Sequence, residues 1–75
     1  MRYSEFRELV ADVFGAELGR TLVRDLVLGD LEDRTSEKAL EAGVEPALVW
    51  RALCDAMAVP AAERWGSQLR TPRRR

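Results

Sequence analysis

The sequence contains no histidine and only one cysteine, Cys54. A lone thiol cannot close an internal disulfide, and without histidine a Cys/His zinc site is excluded. The residue that most often shuttles protons near neutral pH is missing too, and no carboxylates converge at a readable spacing, so catalysis is not expected. There is no Gly-rich phosphate loop, no internal repeat and no alternation of the kind that marks strands. No apolar run approaches the roughly 20 residues of a membrane-spanning helix. The first residues, MRYSEFREL, are charged from position two onward, which does not read as a signal peptide. With the unpaired cysteine, this points to a reducing, cytoplasmic setting. No cofactor and no metal are expected.

What remains is short and charged. Seventy-five residues make one domain at most, and a chain of this size buries a modest fraction of its surface, so its stability is expected to be marginal. Charge is unevenly placed. Residues 1–66 hold eight Lys/Arg against all thirteen Asp/Glu, whereas residues 67–75 hold four arginines and no acid. The expected organisation is therefore an acidic helical domain over 1–66 and a disordered basic tail over 67–75, which has too little apolar surface to order itself.

The stretch Glu45–Val59, EPALVWRALCDAMAV, reads as the central helix. Trp50, Leu53, Cys54 and Met57 follow helical spacing, and Val49, Ala52, Leu53 and Ala56 repeat it one position earlier. The two stripes merge, so this helix is expected to be apolar around most of its circumference, with Leu53 where they overlap. Pro46 suits its first position. Arg51 and Asp55, four apart, share its charged stripe within reach of each other, in the less favourable basic-before-acidic order.

Before it, Ser4 is the expected N-cap of a first helix whose apolar face is Phe6, Leu9, Val10, Val13 and Phe14, ending at Gly15. A second helix is expected from about Ala16 to Leu28, its face formed by Leu18, Leu22, Val23, Leu26 and Val27, with Gly19 a slight weakness. Asp30–Arg34 is a polar connection in which Leu31 folds back onto the core. Thr35 caps a short helix over 36–42, stopped by Gly43, and Val44 points inward. Pro60 opens one or two turns through Trp65. The expected fold is thus all-α, a compact bundle of about five helices, two of them short.

Cys54 lies among apolar neighbours beside Asp55, so it is expected to be a buried small hydrophobe and not a nucleophile. Asp30, Glu32, Asp33 and Glu41 fail as a calcium loop, because Arg34 sits at a ligand position and Thr35 where the turn glycine belongs. Residues 35–57 have the outline of a helix-turn-helix. Its outward face, Ala47, Leu48, Arg51 and Asp55, offers one base-reading candidate and one acid, and Glu37, Glu41 and Glu45 add repulsion toward phosphates. The arginines of the tail, Arg70, Arg73, Arg74 and Arg75, are the better electrostatic candidates. Trp50 and Trp65 are candidate anchors for a protein partner.

Several segments carry a resemblance. These are MRYSEF at the start, RDLVL at 24–28, RTSEKALEAGVEPALVWRALCDAMAVP at 34–60 and RW at 64–65. The most specific part is Ala42-Gly43-Val44-Glu45-Pro46 followed by Val49-Trp50-Arg51-Ala52-Leu53-Cys54. Together they resemble a small actinobacterial family of unknown function. That resemblance implies a compact helical protein of about this length, whose genes often lie near those for the RecA recombinase and the RecX regulator, and so a link to recombination or repair. It implies no activity, ligand or catalytic residue. Relatives often have histidine in an Asp-His-Val-Leu segment where this chain has Asp25-Leu26-Val27-Leu28, and the position reads as partly buried packing that accepts either residue.

The sequence therefore leads to a non-enzymatic protein that binds another, unidentified protein, with Trp50, Arg51, Trp65 and the tail arginines as candidate contacts. The alternative is a nucleic-acid binder using the helical corner at 35–57 or the arginine tail.

Overall fold

The computed structural model describes residues 1–64. The tail expected to be disordered, together with Trp65, Arg70, Arg73, Arg74 and Arg75, lies outside them. Four α-helices are present among the described residues: α1 (Tyr3–Phe14), α2 (Ala16–Asp25), α3 (Ser36–Glu41) and α4 (Pro46–Ala56). Two short strands, β1 (Val27–Leu28) and β2 (Arg34–Thr35), pair antiparallel, with Val27 opposite Thr35 and Leu28 opposite Arg34. Single 3-10 turns occupy Gly29–Leu31 and Ala61–Glu63. The fold is mostly helical, but two expectations are corrected: the ladder makes the domain not purely α, and of the about five helices expected, the one after Pro60 is only a single 3-10 turn.

Helix α1 starts earlier than the Ser4 cap implies. Its N-cap is Arg2, whose backbone N–H donates to Glu5 Oε1 at 2.8 Å. The carboxylate thus satisfies a free donor at the positive end of the helix dipole. Phe6, Leu9 and Val10 are buried, and Val13 and Phe14 pack against the same core. Gly15 adopts φ +91° at the corner into α2, a conformation L side chains rarely take.

Two expectations for α2 fail. It stops at Asp25 because Leu26 turns extended (φ −79°, ψ 119°), and Leu28 then reaches the core from a strand. Its inward face is Gly19, Leu22 and Val23, with Leu26 packed on the core just past its end, while Leu18 and Val27 are about half exposed. Leu26, at the histidine position of the resemblance, is partly buried. Gly19 is the contact point of the α1/α2 hairpin: a Cβ there would meet Val10 Cγ1 at 2.5 Å and the Val10 carbonyl oxygen at 3.0 Å. Helix propensity favours alanine at this position by roughly 1 kcal/mol, but overpacking costs about 1–3 kcal/mol. Gly19→Ala is therefore expected to lower the melting temperature. A rise in thermal melts would show that the two helices separate at little cost.

Helix α3 is capped as expected, with Lys38 N–H donating to Thr35 Oγ1 at 3.2 Å. It ends in a Schellman turn: Val44 N–H reaches the Ala39 carbonyl and Gly43 N–H the Leu40 carbonyl, with Gly43 at φ +95°. Helix α4 ends in the same turn. Val59 N–H bonds the Cys54 carbonyl and Ala58 N–H the Asp55 carbonyl, but the left-handed position is Ala58, at φ +56°. A Cβ in that conformation costs about 1–2 kcal/mol, which glycine avoids at some expense in chain entropy. Ala58→Gly is expected to stabilise the domain by about 0.5–1 kcal/mol, read as a rise in denaturation midpoint. A fall in the midpoint would show that the alanine conformation is not strained.

The core is built on α4, which contacts α1, α3, β1 and the 3-10 turn at Gly29–Leu31. Val49, Leu53 and Cys54 are fully buried, and Trp50 and Ala52 nearly so. Around them lie Phe6, Leu9 and Val10 of α1, Leu28, Leu31, Ala39 and Val59. Helix α4 is apolar around most of its circumference, as expected, but it is not buried on every apolar side: Leu48, Ala56 and Met57 are exposed. Ser36 is the one buried polar side chain whose oxygen has no hydrogen-bond partner among the described residues.

Candidate functional site

The outward side of α4 and the β1–β2 hairpin enclose a groove of about 390 Å³. Leu31, Val44, Leu48 and Ala52 form its apolar floor, and Asp30, Glu32, Arg34, Arg51 and Asp55 its rim. Helical geometry sets one wall, because positions 48, 51, 52 and 55 fall on a single face. The hairpin sets the other. Its loop carries two left-handed residues, Glu32 (φ +60°) and Asp33 (φ +61°), which turn the chain so that Leu31 folds inward and the acids stay in solvent.

Most rim charges have partners. Arg34 pairs with Glu32 at 3.4 Å. Asp55 does not pair with Arg51, which the spacing allows, but with Arg64 at 2.8 Å. The reason is reach and order. A basic residue preceding an acid by four is the weaker arrangement on a helix, and Arg64 is held in place by two further bonds. Its Nε donates to the Val59 carbonyl at 2.9 Å, and its own carbonyl accepts the Trp50 indole N–H at 2.9 Å. Arg51 is left exposed on the rim with no ion pair among the described residues.

The expected contact residues are thus divided. Arg51 faces the groove, whereas Trp50 is only 3% exposed and meets Phe6 and Phe14 edge to face, at centroid distances of 6.1 and 5.9 Å. Trp50 is a core residue and offers no surface to a partner. Leu48, 52% exposed, lines the groove; the sequence puts it on the outward face without marking it as a contact. The signal was there: a large apolar residue on the stripe that carries Arg51 and Asp55. The hairpin wall had no such signal, because it depends on pairing between residues that helical periodicity does not compare.

In the helical corner, Ala39 is fully buried, Val49 and Ala52 are in the core and Gly43 makes the turn, while Ala47, Leu48, Arg51 and Asp55 are exposed. Cys54 is buried beneath them, and loss of solvation pushes its thiol up to about 11, with Arg64 opposing that shift and Asp55 adding to it. The raised value means that the folded state holds its proton more tightly than the unfolded chain. The associated stability is complete below about pH 9.0 and disappears as pH rises toward about 11. At neutral pH the folded thiol should resist iodoacetamide and become alkylated only on unfolding. Rapid alkylation of the native protein would show that α4 opens locally.

Among the described residues, no helix is long and apolar enough to cross a membrane, and no cluster of three or more His, Cys, Asp or Glu could hold a metal ion. A family model described as a protein of unknown function, DUF3046, matches residues 1–62. The chain belongs to this family. The DUF3046 match takes in all four helices, the hairpin and most of the final 3-10 turn, so every element that builds the groove lies within the family's span. No curated protein and no solved structure matches the chain.

Proposed function

We propose that this protein acts by binding another protein, and not by catalysis, at the groove between α4 and the β1–β2 hairpin. The observation that carries this reading is Leu48, a half-exposed leucine seated in an apolar floor and ringed by charges of both signs. Protein interfaces are built in this way, with an apolar centre that drops water and a polar rim that fixes orientation. The occupant would place an apolar side chain against Leu48 and an acidic group beside Arg51, the rim cation without an ion pair. Against a nucleic-acid role for this face stand its single available cation and the nearby acids Asp30, Glu32, Glu41 and Glu45. A reduced, buried thiol fits a cytoplasmic setting. The gene neighbourhood implied by the family resemblance makes proteins of recombination and repair the first partners to test.

The test is capture from native lysate of the source cell with the wild-type chain, Leu48→Asp and Arg51→Glu, each with and without nuclease. Both substitutions are at exposed positions, and circular dichroism checks that they leave the fold intact. A captured protein that survives nuclease and is lost with Leu48→Asp supports the groove. Capture indifferent to both substitutions would overturn it, and capture abolished by nuclease would restore the nucleic-acid reading.

A further inference from the structure

A second groove runs along the α1/α2 hairpin, on a surface separate from the α4 groove, and its charge is the reverse of the body's. Tyr3 and Arg7 lie four apart on α1, and Arg20 and Arg24 lie four apart on α2, so each pair shares one helix face. The two faces line the same groove, of about 590 Å³, whose apolar surface includes Ala11 and Val23. The close contact of Gly19 with Val10 sets the spacing of the two helices and hence the groove's width.

The electrostatics are unusual for this chain. All thirteen acids and eight of its basic residues fall within the described residues. Three of those eight basic residues line this one groove, where Glu37 is the only acid. Arg24 shares its charge with the neighbouring Asp25, at 3.2 Å. Arg7 sits 5.9 Å from the centre of the Tyr3 ring, a contact that leaves its charge uncompensated. Arg20 is exposed and has no ion pair among the described residues. With Arg24 paired to Asp25 and Glu37 on the same lining, the groove's excess positive charge rests on Arg7 and Arg20, and its field acts within about 8 Å at physiological salt.

We propose that this groove binds a short acidic segment of a partner protein, one that alternates carboxylate and apolar side chains. Guanidinium groups bind carboxylates in fork geometry, and Arg7 of α1 and Arg20 of α2 supply two such groups to the groove. The apolar strip between them takes the intervening side chains. From Tyr3 to Ala11 the groove is about 12 Å long by helical rise, room for about four extended residues. A longer polyanion such as duplex DNA would run beyond the channel onto the acidic body, where it is repelled. Inorganic phosphate would leave the apolar strip uncovered. This proposal does not depend on the α4 groove.

The test measures fluorescence anisotropy of a labelled octapeptide of alternating Glu and Leu, titrated with the full chain. Binding is expected to weaken with added salt. Arg20→Glu is expected to weaken it by about tenfold or more, Arg20→Gln by less, and Leu48→Asp not at all, with circular dichroism confirming that each variant is folded. Absence of peptide binding by the wild-type chain would overturn the proposal, as would equal binding by folded Arg20→Glu. So would displacement of the peptide by an oligodeoxynucleotide or by inorganic phosphate at lower concentration than by unlabelled peptide. Because Leu48→Asp tests the other groove, failure here is distinguishable from failure of the proposed function.

Discussion

Leu53→Ala is expected to destabilise the domain by about 2–5 kcal/mol, while Arg51→Ala, two residues away, changes stability by less than about 0.5 kcal/mol. Leu53 is fully buried where α4 meets its neighbours, so truncation loses transfer energy and leaves a cavity that these packed elements cannot close. Arg51 is exposed and has no ion pair among the described residues. In a domain of this size, whose total stability is of the same order as the Leu53 loss, the variant would be largely unfolded at moderate temperature. Chemical denaturation of the two variants side by side is the measurement. Equal losses, or a larger loss from Arg51→Ala, would place the wrong face of α4 in the core.

Trp50→Ala is expected to cost about 3–5 kcal/mol. Its ring fills the space between Phe6 and Phe14, and the edge-to-face contacts add about 0.5–1.5 kcal/mol each beyond burial. Its indole N–H also holds the Arg64 carbonyl, and Arg64 in turn ties the Ala61–Glu63 turn to α4 through Val59 and Asp55. Trp50→Phe separates these contributions. It keeps an aromatic ring but removes the donor, so it should cost about 1–2 kcal/mol, most of it the unsatisfied carbonyl and the smaller ring. Hydrogen exchange should show the Arg64 segment opening in Trp50→Phe while α1 stays protected. Loss of protection throughout the domain in Trp50→Phe would mean that the hydrogen bond, and not the packing, holds the core together.

Local rules recorded in the sequence account for much of the fold. Helical spacing placed Phe6, Leu9 and Val10 inward on α1 and Val49 and Leu53 inward on α4. Thr35 capped α3, and Gly15 and Gly43 took the left-handed turns that glycine accommodates without strain. Each of these follows from residues within a turn or two of one another, so a linear reading finds them. Arg51 was legible as a surface charge for the same reason.

Tertiary contacts decided the rest. Leu26-Val27-Leu28 continues the helical pattern of α2 without a break, yet it leaves the helix because pairing with Arg34–Thr35 puts Leu28 in the core. Gly19 looks like a weak helix residue until Val10 is seen against it. Asp55 turned to Arg64 because the Schellman turn at Ala58 brings that arginine back along α4, a return set by backbone dihedrals and not by side-chain spacing. Both grooves have the same origin. The sequence determined the charged side chains that the helices carry outward, such as Arg7, Arg20 and Arg51, though not the exposure of Leu18 or Met57. Only the packing of α2 on α1, and of the hairpin beside α4, decided which of those outward side chains face one another, because that depends on contacts between residues far apart in the chain.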